Sequence, residues 1–111
     1  MRCCFSPAFQ RQINQLEKKF PGISRVINNF IPYIETQHKG DSIPGFGGSV
    51  KKLRLPMKRW SKGKSGGLRI IYYISIETET IFLLLVYFKG EKEKVSAEEI
   101  KRALKELNQQ E

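Results

Sequence analysis

A chain of 111 residues, 40% of them hydrophobic, can bury one hydrophobic core, so we expect a single domain over residues 1–111. The longest apolar run has eight residues, whereas a spanning helix needs about 20, which excludes a transmembrane protein. The N-terminus has no apolar stretch typical of a secretory signal, so we expect a cytoplasmic protein without a membrane partner. Cys3 and Cys4 are adjacent and too few to close a zinc site, and we expect neither a metal nor a cofactor.

The positive charge is concentrated in one segment. The net charge is +9, and no acidic residue occurs between Ser42 and Ile76. That segment holds eight basic residues: Lys51, Lys52, Arg54, Lys58, Arg59, Lys62, Lys64 and Arg69. The remaining 12 basic and 11 acidic residues nearly cancel. A focused positive patch attracts a polyanion, which favours a nucleic acid as ligand; the alternative is a solvated basic loop without a partner.

Two helices are predicted at the N-terminus. Ser6 and Pro7 form a typical helix start, with Ser6 as the N-cap. Apolar residues then recur at spacings of three and four, at Phe9, Ile13, Leu16 and Phe20. The Pro–Gly pair that follows ends the helix. A second apolar helical pattern begins after that pair. Pro32 lies inside it and predicts a kink or a break near Ile31.

Three strands and a last helix are predicted after a glycine-rich loop. The loop holds His38, the only histidine, which we interpret as a surface residue, with a catalytic acid or base as the alternative. The strands are predicted at Val50 to Leu55, Leu68 to Glu77 and Thr80 to Lys89. The short link between the last two indicates an antiparallel hairpin. A capping box beginning at Ser96 starts the C-terminal helix.

This order predicts an α+β fold, with two N-terminal helices packed on one face of a small, mainly antiparallel β-sheet, plus a C-terminal helix. Every second residue from Leu68 to Ile76 is apolar, so we expect that face to be buried against the helices. If side chains alternate strictly along the last strand, Leu85 shares a face of the sheet with Tyr87, and Leu84 shares the other face with Val86. The opposite face is expected to carry the cationic and aromatic residues Lys52, Arg54, Arg69, Tyr73, Tyr87 and Lys89.

Such a face has groups that can cut RNA without a metal ion. The 2′-hydroxyl attacks the adjacent phosphorus, and the reaction needs a base, cations for the developing charge and an acid for the leaving oxygen. A lysine among other cations can act as the base. Aromatic rings can stack on a splayed base, and basic loop residues can hold the strand. The candidates for these substrate-binding roles are Lys62, Lys64, Tyr73, Tyr87 and Trp60.

Three stretches of the sequence carry a resemblance to a known family. They are Lys-Lys-Leu-Arg-Leu-Pro from Lys51, Lys-Gly-Lys-Ser-Gly-Gly-Leu-Arg-Ile-Ile-Tyr-Tyr from Lys62, and Ile-Phe-Leu-Leu-Leu-Val-Tyr-Phe-Lys-Gly-Glu from Ile81. From about Gly40 to Leu107 the sequence resembles the RelE/HigB branch of bacterial type II toxin–antitoxin toxins, in the RelE/ParE superfamily. The resemblance implies a RelE-like fold and a ribosome-dependent mRNA endonuclease that cleaves the A-site codon and so inhibits translation. It also implies a cognate antitoxin protein that covers the basic face.

The resemblance implies catalytic roles for four residues. Lys52 becomes the candidate base or charge stabiliser, Arg54 a phosphate contact, Arg69 the arginine that stabilises the transition state, and Lys89 a further cation. Two features of some relatives are missing here, an arginine at the position of Gly90 and a C-terminal tyrosine. Tyr73 and Tyr87 are the candidates for the place of that tyrosine.

Two other functions are compatible with the same features. A ParE-like protein would share the fold but poison DNA gyrase. An inactive member would only bind nucleic acid or its antitoxin. Controlled expression followed by mapping of mRNA 5′ ends distinguishes these two from the endonuclease.

Overall fold

The computed structural model describes residues 1–57, 67–92 and 94–108, which form three helices and a five-stranded sheet. In chain order the elements are β1 (Arg2–Phe5), α1 (Pro7–Lys19), α2 (Ile23–Gln37), β2 (Asp41–Ser42), β3 (Val50–Leu55), β4 (Leu68–Ser75), β5 (Thr80–Phe88) and α3 (Ala97–Asn108). The α+β prediction is therefore confirmed, with the three predicted helices and the three predicted strands in the expected order.

The strands are arranged in the order β1-β5-β4-β3-β2. β1 pairs with β5 in parallel, and every other pair is antiparallel. The pairing of the edge strands β1 and β2 with the sheet was not predicted, because four and two residues are too few to show an alternating pattern. Their addition widens the central three-stranded sheet on both sides.

The first face of the sheet packs against α1 and α2. Leu53 and Leu55 of β3 face this way, and so do alternate residues of β4, as predicted. They form one apolar core with the stripes of the two helices: Phe9, Ile13, Leu16, Ile23, Ile27 and Ile34. Ile76 was expected in this core, but it follows the end of β4 in a turn and is 78% exposed.

The second face is partly covered by α3. Ile100, Ala103 and Leu107 of this helix share a cluster with residues from β3, β4 and β5. The register of β4 against β5 shifts between Ile71 and Tyr72, which gives β5 one extra residue. Leu84 and Leu85 consequently both belong to the second-face cluster. The prediction that Leu84 shares a face with Val86 is wrong, since Val86 lies in the first-face core.

The helix ends mostly follow the predicted capping. The Ser6 hydroxyl accepts from the backbone N–H of Phe9 at 3.0 Å and donates to the carbonyl of Leu84 at 3.0 Å, so the cap also binds the irregular part of β5. The predicted break in α2 is wrong, because the helix continues through Pro32. Asn28 and Pro32 are both exposed, so the proline lies on the solvent side of the helix rather than in the core.

Candidate functional site

The strand register brings three of the predicted site residues together on the second face. Arg54 lies directly opposite Arg69, and Arg69 lies directly opposite Tyr87. Residues that face each other across a ladder share a side of the sheet, with Cβ atoms about 4.5–5.5 Å apart. Lys52 is two residues from Arg54 along β3 and therefore points to the same side, about 7 Å away.

Lys52, Arg54 and Tyr87 border a cleft of about 280 Å³, and Arg69 lies next to Arg54 and Tyr87 on the same face. The described residues that line it are Asp41, Ser42, Ile43, Pro44, Lys52, Arg54, Ile71, Tyr87, Lys94 and Val95. Asp41 and Lys94 were not recognised from the sequence. Asp41 reaches the cleft only because β2 pairs with β3, and Lys94 only because α3 folds back over the sheet.

The cations at this cleft form no ion pair with any carboxylate that the structure describes. Three ion pairs join other described residues, namely Arg11–Glu106, Lys19–Glu91 and Lys92–Glu99. Within the same part of the chain, the side chains of Lys52, Arg54, Arg69 and Lys94 form no hydrogen bond or ion pair. Cations that the protein itself leaves unpaired on one surface attract an external anion.

Tyr87 lies among these cations and is only 7% exposed. Burial raises the pKa of the Tyr87 phenol, and the nearby Arg69 and Arg54 guanidinium groups partly oppose that change. The phenol therefore holds its proton at neutral pH and is a hydrogen-bond donor rather than a base. Because the ring is buried, it presents little surface on which a nucleobase can stack.

Glu99 is the carboxylate on α3 that also acts on Tyr87, raising its pKa. Lys92 donates to Glu99, and the backbone N–H of Ser96 donates to it at 3.4 Å. Both interactions lower the pKa of Glu99. Glu99 is thus bound to Lys92 and to the capping box of α3, and it forms no ion pair with the arginines of the second face.

A glycine at the start of β4 makes room for the Arg69 side chain. Gly67 has a φ of +144°, and a Cβ atom there would lie 3.0 Å from Nη1 of Arg69 and 3.1 Å from the carbonyl oxygen of Leu55. The guanidinium therefore runs back over Gly67, towards the end of β3. Any larger residue at position 67 would push on this group.

The remaining predicted site residues lie elsewhere. Tyr73 stacks on Phe82 with ring centroids 6.2 Å apart, and it is four residues from Arg69 along β4, about 13 Å. Lys89 is half-buried just after β5, where its backbone N–H donates to the Gly67 carbonyl at 3.1 Å. His38 ends α2, and its ring contacts the Glu35 carbonyl at 2.9 Å. The predicted residues Lys62, Lys64 and Trp60 lie outside the described residues.

No family model matches this sequence. The arrangement of strands and helices is similar to that in a solved structure of the E. coli toxin RelE, a double arginine-to-alanine mutant in the free state. The TM-score is 0.50 at 14% sequence identity, and the match covers 94% of this chain and 94% of that chain. The fold is RelE-like. The expectation that the sequence resemblance raised for the architecture is confirmed over nearly the whole length of both proteins.

On this RelE-like fold, the second face combines guanidinium groups, a lysine and a protonated phenol around one small cleft. Guanidinium groups bind phosphate oxygens in pairs, and a protonated phenol donates to a developing oxyanion. In the part of the chain that is described, no three His, Cys, Asp or Glu side chains are grouped to hold a metal ion. No helix among the same residues is long and apolar enough to cross a bilayer.

Proposed function

We propose that this protein is the toxin of a type II toxin–antitoxin system and that it inhibits translation by cleaving mRNA in the ribosomal A site. The observation that carries the proposal is the unpaired cationic cluster of Lys52, Arg54 and Arg69 on the second face of a RelE-like fold. A phosphodiester of single-stranded RNA supplies the anion that this cluster lacks.

The proposed chemistry needs no metal ion. The 2′-hydroxyl gives its proton to a base, its oxygen bonds to phosphorus, and the bond to the 5′-oxygen breaks as that oxygen takes up a proton. The products are a 2′,3′-cyclic phosphate and a 5′-hydroxyl end. Arg54 and Arg69 stabilise the charge on the phosphoryl oxygens, and Tyr87 donates a hydrogen bond to the same group. Lys52 is the proton-transfer candidate, because a guanidinium does not release its proton.

Other residues extend the proposed substrate path. Lys89 follows β5, two residues after Tyr87, and is proposed to hold the next phosphate. Lys62, Lys64 and Trp60 are proposed to contact the RNA from the basic segment between β3 and β4. Tyr73, which is partly exposed at the far end of β4, is the aromatic residue proposed to stack on a base.

The same cationic cluster is the proposed binding site of a cognate antitoxin protein. A face with unpaired cations is a natural docking surface for an acidic segment, and a cognate antitoxin bound there would exclude mRNA. The proposed site of action is the cytoplasm, where ribosomes and mRNA are found together. Neutralisation and substrate binding then compete for one surface.

The decisive experiment is controlled expression in bacteria, followed by mapping of new mRNA 5′ ends. We expect growth arrest and cuts at a fixed position within codons. Arg69→Ala should reduce cutting by about 100-fold or more, the size of effect typical of removing one transition-state donor. Arg25→Ala removes the same charge from the exposed side of α2 and should leave cutting unchanged.

Three results would contradict the proposal. DNA damage without codon-position cuts would indicate a gyrase poison. Normal growth with abundant wild-type protein would indicate an inactive, purely binding member. Full cutting by the Arg69→Ala protein would show that the cluster on the second face is not the catalytic site.

A further inference from the structure

Asp41 is the acidic residue of the cationic cleft. It lies directly opposite Lys52 across the β2–β3 ladder and lines the same cavity. Its carboxylate is exposed and forms no hydrogen bond or ion pair with any residue that the structure describes. A free carboxylate beside unpaired cations weakens the attraction for phosphate, so phosphate binding alone does not account for it.

The backbone around Asp41 is held firmly in place. Tyr72 donates its phenol proton to the Lys39 carbonyl, Lys51 Nζ donates to the His38 carbonyl at 3.1 Å, and the Ile43 N–H donates to the Val50 carbonyl at 2.9 Å. These bonds anchor the chain on both sides of a two-residue strand. The backbone of Asp41 is therefore fixed beside Lys52 before any ligand binds, which reduces the entropy cost of recognition.

Gly40 makes this close approach of β2 to β3 possible. Its φ is +127°, and a Cβ atom there would lie 2.7 Å from the carbonyl oxygen of Lys52. Only glycine fits at this contact. The position of Asp41 in the cleft thus depends on a tight backbone contact with the strand that carries the cations.

Apolar residues also line the cleft beside Asp41. Ile43 and Pro44 come from the loop after β2, and Val95 comes from the segment before α3. Apolar groups of this kind pack on the flat faces of a nucleobase, while a carboxylate accepts hydrogen bonds from amino groups at its edge. Arg54 is the diagonal neighbour of Asp41, about 7–8 Å away, a distance that a single nucleotide can span.

Building on the proposed function, we infer that Asp41 reads the base of the bound nucleotide and selects one with an exocyclic amino group. Adenine, cytosine and guanine carry such a group, and uracil has carbonyl oxygens at its edge instead. A carbonyl opposite the carboxylate leaves both acceptors without a donor, which costs affinity. Arg54 and Lys52 hold the phosphate of the same nucleotide, and the apolar residues enclose its base.

The test uses CMP and UMP, which differ at position 4 of the ring by an amino group or a carbonyl. Both are titrated into purified full-length protein, and binding is followed by chemical shifts or calorimetry. We expect CMP to bind about tenfold more tightly, the size of effect typical of a hydrogen bond to a charged group. Asp41→Asn should abolish this preference, since an amide both donates and accepts. Glu77→Gln, in the exposed turn after β4, should preserve it.

Arg54→Ala provides the second comparison and should weaken the binding of CMP and of UMP by the same factor. Equal affinities for the two nucleotides in the wild-type protein, absence of binding for both, or a preference that survives Asp41→Asn would each overturn the inference. No ribosome or cleavage is involved, so these results are independent of the mRNA mapping. If the protein prefers CMP to UMP but cuts no mRNA, the proposed function is contradicted while the base-binding subsite at Asp41 is supported.

Discussion

Arg54 and Arg69 face each other across two neighbouring strands, an arrangement that favours ligand binding over stability. Like charges directly opposite in a ladder destabilise it, by up to about 1 kcal/mol. In the part of the chain that the structure describes, no carboxylate pairs with either side chain. The repulsion is relieved only when an anion enters the cleft, so these two residues show the trade-off expected of a binding site.

We therefore predict that Arg54→Gln keeps the free energy of unfolding unchanged or raises it by up to about 1 kcal/mol, while mRNA cutting falls. Urea unfolding followed by circular dichroism measures the first effect, and 5′-end mapping measures the second. Arg25→Gln serves as the matched control for loss of one positive charge. A clear loss of stability in Arg54→Gln alone would show that the arginine has a structural partner.

Cys3 shows how burial changes a potentially reactive side chain. Burial, the Glu35 carboxylate and the neighbouring Cys4 together raise the pKa of the Cys3 thiol to about 12. The thiolate is the nucleophilic form, and a raised pKa keeps the thiol protonated until strongly alkaline pH. Cys3 is accordingly expected to be inert in the folded protein, although it is only half-buried on an edge strand.

In a Cys4→Ser variant, Cys3 is the only thiol. Its alkylation by iodoacetamide at pH 8 should be more than about tenfold slower in the folded protein than in urea. The rate in the folded protein should continue to rise as pH increases past the ordinary pKa of a cysteine. Equal rates in the folded and unfolded states would show that the thiol is freely ionised on β1.

At the scale of the element, Glu17 provides an N-terminal cap that α2 does not have locally. The residue before the helix is Gly22, whose lack of a side chain leaves the first N–H groups without a cap. The Glu17 carboxylate accepts from the N–H of Gly22 at 2.7 Å and from the N–H and hydroxyl of Ser24 at 2.9 and 3.0 Å. These bonds lower the pKa of Glu17.

A carboxyl group with a lower pKa in the folded state stabilises the protein above its unfolded-state pKa, and this contribution is lost as pH falls through the folded-state value. Glu17→Gln should therefore lower the melting temperature at pH 7, and the difference from wild type should shrink as pH drops below about 4. Thermal melts across this pH range are the measurement. Glu77→Gln should have little effect, and a pH-independent loss in Glu17→Gln would exclude the linkage.

The elements that the sequence predicted well are those with a repeated pattern. β3 and β4 alternate regularly, so the common side of Lys52, Arg54 and Arg69 followed from counting by two. The faces of the β5 side chains could not be predicted by counting in twos. Residues 83–86 are all apolar, so the extra residue of a bulge does not interrupt any alternating pattern there. The bulge depends on pairing with β4 and on the hydroxyl of Ser6.

At the scale of the whole molecule, the two faces of the sheet differ in charge. The cleft that contains Lys52 and Arg54 lies on the face with α3, whereas α1 and α2 cover the other face with apolar residues. Of the described residues, the unpaired cations Lys52, Arg54 and Lys94 therefore lie together at one surface of the sheet. Binding of a polyanion at such a surface releases counterions and depends strongly on salt.

We predict that the affinity for a short single-stranded RNA decreases with salt, with a slope of log K against log salt between about −2 and −3.5, as about three to five phosphate contacts imply. Arg54→Gln should reduce the magnitude of the slope by about 0.7, the value for one contact to a single strand. Arg25→Gln should leave it unchanged. Fluorescence anisotropy at several salt concentrations gives both slopes, and salt-independent binding would contradict the electrostatic account.

The sequence by itself determined the order of the central elements, the capped helix starts and the acid-free basic segment. It also determined, through side-chain alternation, which side of each strand carries the arginines. These properties depend on neighbours along the chain, through propensity, capping and alternation. Only the tertiary structure decided that Arg54 faces Arg69, that Asp41 and Lys94 enter the same cleft, and that α3 covers part of that face. Lateral strand pairing joins residues far apart in the chain, and many registers are compatible with one apolar pattern, so packing of the whole core selects the pairs that meet.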